Sequence, residues 1–193
     1  MALTRQLSLF GIEATTPSID DLDGLLAGPG QVVRMGGTAR VSVVVEAMWR
    51  AAALTAEMRT RGLAATCVAT VDEHLGVRTP YSAALAPLAN AWLRGALKLP
   101  PTGYVLDGRR LRLWMIAAGY RDDLEMTLRL GRCEPQVELT MQRALALIGL
   151  PAEVLVGSAR TGPSLRITGR RRMARLAETV GDPPSAAPPD AWP

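Results

Sequence analysis

Histidine, phenylalanine and lysine each occur once in these 193 residues, and cysteine only twice. The two cysteines belong to no Cys/His cluster of the kind that marks a zinc site in sequence. Cys67 and Cys133 are too few for a disulfide framework and form no CxxC pair, so both are assigned to the interior as small apolar residues. No run approaches 18 uninterrupted apolar residues, and the N-terminus lacks the basic-then-apolar pattern of a secretory signal, which together point to the cytoplasm. A GxxxxGK[ST] phosphate loop is missing, as is a GxGxxG turn after a strand. His74 stands between Glu73 and Leu75 in a strand-turn context, with no nucleophile at a meaningful spacing, and reads as structural or solvated.

What is present is a chain of ordinary globular balance, 48% hydrophobic and 21% charged, long enough for one domain or two small halves. Its 22 basic residues are 21 arginines and Lys98. With abundant alanine, glycine and proline, that bias resembles the product of a high-GC genome such as an actinobacterium's. The net charge of +4 permits contact with an acidic polymer. Residues 20–106 carry eight basic and seven acidic side chains, and residues 107–181 carry thirteen and eight. The basic excess therefore belongs to the second half and includes the run Arg170-Arg171-Arg172.

Hydrophobic period gives the same order of elements twice. Asp20-Asp21 opens a short helix to about Gly28, with acids where the helix dipole favours them. Segments 31–36 and 39–46 flank Gly36-Gly37, a hairpin signal. A helix follows from about Ala47 to Arg61, then extended segments 63–71 and 74–79, then a helix from Ser82 to Leu97. After Pro100-Pro101 the order restarts. The period predicts a helix from Asp107 to about Gly119, a strand over 123–132 and a helix over 135–148. A hairpin of 152–156 with 164–168 comes next, and a last helix over 170–180. The second half shows no clear counterpart of the first half's opening strand. The expectation is an α+β fold of two α-β-β-α-β-β-α units, 20–106 and 107–181, between a flexible tail (1–19) and a disordered Pro/Ala-rich tail (182–193).

Near the start, Gln6-Leu7-Ser8-Leu9-Phe10 resembles the peptide that bacterial replication and repair proteins insert into the sliding clamp, the beta subunit of DNA polymerase III. Leu9 and Phe10 would fill an apolar pocket, at about 1.5–3 kcal/mol for each fully buried side chain. Leu7 would add contact area, Gln6 would orient the peptide through its amide, and Ser8 is the small residue between Leu7 and Leu9. Phe10 is the chain's only phenylalanine and lies outside every periodic segment. Residues 11–19 would serve as a tether of at most about 30 Å.

The two opening helices carry a second resemblance. Leu22-Asp23-Gly24-Leu25-Leu26-Ala27-Gly28-Pro29-Gly30 is similar to a degenerate LAGLIDADG motif, and Leu111 to Gly119 occupies the same place in the second half. The order of elements, including Ile148-Gly149-Leu150-Pro151-Ala152 before a strand, resembles the LAGLIDADG-like region of the WhiA sporulation regulators. That resemblance implies a saddle of antiparallel strands lying on duplex DNA, with the motif helices packed side by side through Gly24, Gly28, Ala117 and Ala118. It also implies an acid before each motif's last glycine to hold a catalytic magnesium ion. Those positions are Pro29 and Ala118 here, so the expectation is a non-enzymatic protein without metal or cofactor.

Alternate strand residues would face the DNA, which nominates Arg34, Arg40, Ser42, Thr127, Arg129, Arg132, Ser164, Arg166 and Thr168, with Arg160 in a hairpin loop and Arg170–Arg172 at a helix start. The expected function is a clamp-tethered, nucleoid-associated accessory of replication or repair, monomeric apart from the clamp. Two alternatives stand beside it: a clamp-binding regulator without DNA contact, and a WhiA-like transcription-associated DNA-binding protein.

Overall fold

Twice along this chain a buried helix leads into a four-stranded antiparallel sheet. The computed structural model describes residues 11–12, 16–70, 72–158 and 161–193. In the first half Ser18 caps a 3-10 turn over Ile19–Leu22: its hydroxyl accepts from the Asp20 N–H, and the Asp21 carboxylate accepts from the Ser18 N–H. The turn leads into α1 (Asp23–Ala27), β1 (Gln31–Met35), β2 (Thr38–Val45), α2 (Met48–Thr60), β3 (Thr66–Ala69), β4 (Leu75–Arg78), α3 (Ala86–Trp92) and a small hairpin, β5 (Leu93–Arg94) with β6 (Leu97–Lys98). The second half continues as α4 (Gly108–Ala118), β7 (Gly119–Asp122), β8 (Glu125–Arg129), α5 (Pro135–Leu147), β9 (Glu153–Leu155), β10 (Ser164–Thr168) and α6 (Arg170–Val180). The two four-stranded sheets have orders β1-β2-β4-β3 and β7-β8-β10-β9, and every pairing is antiparallel.

Small residues let α1 and α4 meet at the centre. A Cβ on Gly24 would overlap the Arg110 carbonyl, and one on Gly28 would strike the Trp114 ring. Around this contact Leu22, Leu25, Leu26, Leu111, Leu113, Trp114 and Ile116 are fully buried. The inner faces of both sheets add Val41, Val43, Met126, Leu128, Leu165 and Ile167.

Several elements differ from the sequence-based expectation. The second half does have an opening strand, because Gly119 turns directly from the end of α4 into β7; the segment expected as one strand over 123–132 is the return strand β8. Asp123, in the left-handed region at φ 48, makes the tight turn between them, and Asp122 and Asp123 are exposed there. The helix expected over 82–97 stops at Trp92, where the chain reverses through Gly95 at φ 64.

The tails also depart from expectation. Residues 182–193, expected to be disordered, are mostly exposed but anchored at Trp192. The buried Trp192 indole N–H donates to the Gly181 carbonyl at 2.8 Å, and Arg121 donates to the Trp192 carbonyl at 2.5 Å. Arg112 lies over the Trp192 ring. Gly11 is buried and Ile12 lies where a side chain at Gly181 would be, so these two residues of the expected free tether are docked. Cys133 is half-buried, but Cys67 is exposed, because edge strand β3 is uncovered on both faces. Gln6–Phe10 lie outside the described residues.

Candidate nucleic-acid interface

The strand register settles which side chains share the outer face of each sheet. Directly opposed residues point the same way, and a shift of one residue reverses the face. In the first sheet Arg40 is opposite Val33, Ser42 is opposite both Gln31 and Arg78, and Arg78 is opposite Thr66. Val44, Gly76 and Val68 form the next row, and Met35 with Thr38 the last. The strand residues of this face include Arg40 and Arg78 and no carboxylate; Glu46 lies two residues beyond Val44, past the end of β2. The Arg40 guanidinium is steadied over the Tyr81 ring at 4.8 Å.

Arg34, nominated with Arg40, is on the other face. It pairs with the buried Ala39, and its guanidinium reaches Asn90 of α3 at 3.0 Å. Arg78 was missed by the sequence reading. Its signal was the two-residue spacing from Gly76 within the expected strand 74–79.

In the second sheet the outer face carries Tyr120 and Asp122, Glu125, Thr127 and Arg129, Ser164, Arg166 and Thr168, and Glu153. The nominated Thr127, Arg129, Ser164, Arg166 and Thr168 do share this face. Arg166 is engaged by Glu153 at 2.9 Å and Glu125 at 3.6 Å, and their carboxylates hold its proton more tightly than usual. Two arginines and three acids leave this strand surface slightly negative. The second half's excess of arginine lies elsewhere: Arg112 binds Glu57 and the carbonyls of Val180 and Asp182, and Arg121 binds the C-terminal segment. Arg170, Arg171 and Arg172 are exposed in the first turn of α6, beside the β7–β8 turn, where the Gly169 N–H donates to the Leu124 carbonyl. Arg160 lies outside the described residues.

Between the sheets, at the foot of α1 and α4, is a cleft of about 370 Å³. Pro29 and Ala118 line it together, along with Gln31, Glu46, His74, Tyr120, Arg129 and Arg132. Glu46, just past β2, crosses between the halves: one carboxylate oxygen accepts from Arg129 at 2.8 Å and the other from the Tyr120 hydroxyl at 2.9 Å. Burial would raise the Glu46 pKa, but hydrogen bonds from Arg129 and Tyr120 outweigh it and hold the group below the usual carboxylate value. Arg129 also donates to the Tyr120 oxygen at 2.9 Å and lies 3.9 Å from that ring's centroid. Arg50 is placed over the same ring at 4.8 Å.

Each central helix ends on an internal cation. The Lys98 ammonium donates to the Gly28 and Gly30 carbonyls at 2.7 and 2.8 Å, at the end of α1. Arg50 donates to the carbonyls of Met115, Ile116 and Gly119 at the end of α4. Both cations are favoured by the helix dipole there. Burial lowers the Arg50 pKa and brings that of Lys98 down to about 8.

The surroundings do not fit a divalent metal. Neither Pro29 nor Ala118 offers a side-chain oxygen, and the backbone oxygens at both helix ends already accept from cations. Asp23 stands at the far end of α1, bound by Trp92 and Arg110. Among the described residues no group of three or more His, Cys, Asp or Glu side chains could hold a metal ion. No described helix is long and apolar enough to cross a membrane.

No protein-family profile and no curated protein sequence matches the chain. Solved structures do. The homing endonuclease I-WcaI bound to its DNA recognition sequence is 12% identical, with a TM-score of 0.63 over 92% of this chain and 88% of that one. The N-terminal LAGLIDADG domain of DUF199/WhiA is 12% identical, with a TM-score of 0.58 over 86% and 82%. Full-length DUF199/WhiA from Thermatoga maritima is 11% identical, with a TM-score of 0.59 over 84% of this chain and 54% of that protein. At such identities the likeness speaks for the fold, and with two sheets of matching strand order around paired helices it makes this chain a duplicated LAGLIDADG-like saddle.

Proposed function

We propose that this protein is a non-catalytic duplex-DNA-binding accessory of bacterial replication or repair, carried to the sliding clamp by Gln6–Phe10. The observation that carries the DNA reading is the outer face of the first sheet, where Arg40 and Arg78 stand among Gln31, Ser42, Thr38 and Thr66 without a carboxylate. Guanidinium and hydroxyl groups suit phosphate contacts, which position a protein on duplex DNA. The non-catalytic reading is supported by Pro29 and Ala118 at the positions where the LAGLIDADG resemblance implies metal-binding acids. The clamp reading rests on the pentapeptide. Because Ile12 is docked against Gly181, the slack between peptide and body is shorter than the nine residues of sequence imply. Clamp and saddle would then be held close together, where even weak DNA contact gains from high local concentration.

Two titrations test the two parts. Purified clamp should bind the wild type, and the Leu9→Ala/Phe10→Ala variant should lose that binding; equal binding by both removes the clamp from the function. A labelled duplex should bind without the clamp and weaken steeply as salt rises from about 50 to 200 mM. Clamp binding with no duplex binding at low salt would favour a clamp regulator that does not touch DNA. Metal-dependent nicking of plasmid that co-purifies with the protein would overturn the non-catalytic reading.

A further inference from the structure

We infer that the cleft at the foot of the two central helices is a metal-independent phosphate site, in which Arg129 and Arg132 engage a phosphodiester of duplex DNA directly and Glu46 is the resident anion that the phosphate displaces. This rests on the DNA-binding reading above.

The first support is what the cleft has lost. Pro29 and Ala118 put neutral, compact side chains at the base, and Gly131 adds none. Among the described lining residues Glu46 is the only carboxylate, and it is paired with Arg129. Arg50 and Lys98 add positive charge behind the cleft, at the ends of α4 and α1. The base is thus positive without a bound metal.

The second support is that Arg129 is positioned by groups other than Glu46. Its carbonyl accepts from the Trp114 indole at 2.9 Å, and its guanidinium rests on the Tyr120 ring while donating to the Tyr120 oxygen. Arg50 fixes the same ring through a second guanidinium. An anion arriving here therefore meets donors already aimed.

The third support is the geometry of Glu46 itself. Its two oxygens divide between Arg129 and the Tyr120 hydroxyl, a pattern that the two non-bridging oxygens of a phosphodiester can reproduce. The exchange replaces one anion by another without loss of a hydrogen bond. The pair is about half exposed, with side-chain exposures of 37% for Arg129 and 47% for Glu46. Ion pairs in such settings contribute about 0–1 kcal/mol, so displacement costs little and Glu46 can turn outward to water.

The test is a titration of labelled duplex DNA against wild type, Glu46→Gln, Arg129→Gln, their double variant and Glu178→Gln, a control on the exposed face of α6. Glu46→Gln should tighten binding about three- to tenfold, and Arg129→Gln should weaken it and reduce the log–log salt slope by about one. In the Arg129→Gln background the gain from Glu46→Gln should vanish. Binding should be the same with EDTA as with magnesium at matched ionic strength. Melting curves of each variant confirm that it is folded. The inference is overturned if Glu46→Gln gains no more than Glu178→Gln, if the gain survives loss of Arg129, or if binding requires a divalent ion. Duplex binding that is unaffected by any cleft variant sinks this site and leaves the DNA-binding function standing, whereas no duplex binding by any form sinks both.

Discussion

Lys98 shows how much of the interior is decided by single residues. It is the chain's only lysine, it comes from a two-residue strand, and it binds the carbonyls at the end of a helix some seventy residues away in sequence. Burial brings its pKa from 10.5 to about 8, while Cys133 nearby has its own thiol pKa raised by burial. Between pH 8 and 10.5 the unfolded chain keeps a proton on this lysine that the folded chain has released, so this group's contribution to stability rises with pH across that window. Cys133 works in the opposite sense above its ordinary thiol value. Comparing wild type with Lys98→Met by urea unfolding from pH 7 to 10 isolates the lysine. The difference should be flat below pH 8, then move in favour of wild type by up to about 1.4 kcal/mol per pH unit. A difference that stays level through pH 10 would show that Lys98 is not held as described. Local sequence could not reveal this role, since nothing around Lys98 names its distant partners. Gly24 and Gly28 were legible for the opposite reason: small residues inside an apolar helix signal a close approach, and both are pressed against α4.

At the scale of elements, period worked where a segment had one buried face and one exposed face. Helix α6 falls on the expected 170–180, and β2 with its alternating valines was equally plain. The failures occurred where register or a change of element decided the outcome. Arg34 and Arg40 both read as outward until the pairing of Arg34 with Ala39 placed them on opposite faces. Strand β7 was hidden because its first residue continues a helix. The C-terminal segment was misread from composition alone: proline and alanine say little, but Trp192 carries enough apolar surface to anchor the segment. The residue is 4% exposed, with its ring beneath Arg112 and its indole N–H hydrogen-bonded to the Gly181 carbonyl. Trp192→Ala should therefore cost about 3–5 kcal/mol, lowering Tm by several degrees and making residues 182–193 sensitive to protease. An unchanged Tm together with unchanged protease resistance would mean that the segment is held by its backbone contacts instead.

Over the whole molecule, the distribution of charge on the saddle differs from its distribution along the chain. Counted by sequence, the second half is the basic one. Counted by face, the first sheet presents Arg40 and Arg78 without an acid, whereas the second sets Asp122, Glu125 and Glu153 against Arg129 and Arg166. Of the second half's other arginines, Arg112 is drawn inward, closing a chain of ion pairs from Asp21 through Arg61 and Glu57, while Arg170–Arg172 are exposed at the start of α6, off the strand surface. A duplex on the saddle would consequently be held over the first sheet and the central cleft, and only loosely over the second sheet. Each phosphate contact contributes about 0.9 to the slope of log affinity against log salt. Arg40→Gln/Arg78→Gln should then flatten the slope by nearly two and weaken binding at every salt concentration tested. Arg166→Gln should change it little, because its two acidic neighbours already repel phosphate. Glu125→Gln/Glu153→Gln should strengthen binding by releasing Arg166 and removing that repulsion. Equal losses from the Arg40/Arg78 and Arg166 variants would point to a duplex centred on the pseudo-twofold axis, with both sheets sharing the load despite their different charge.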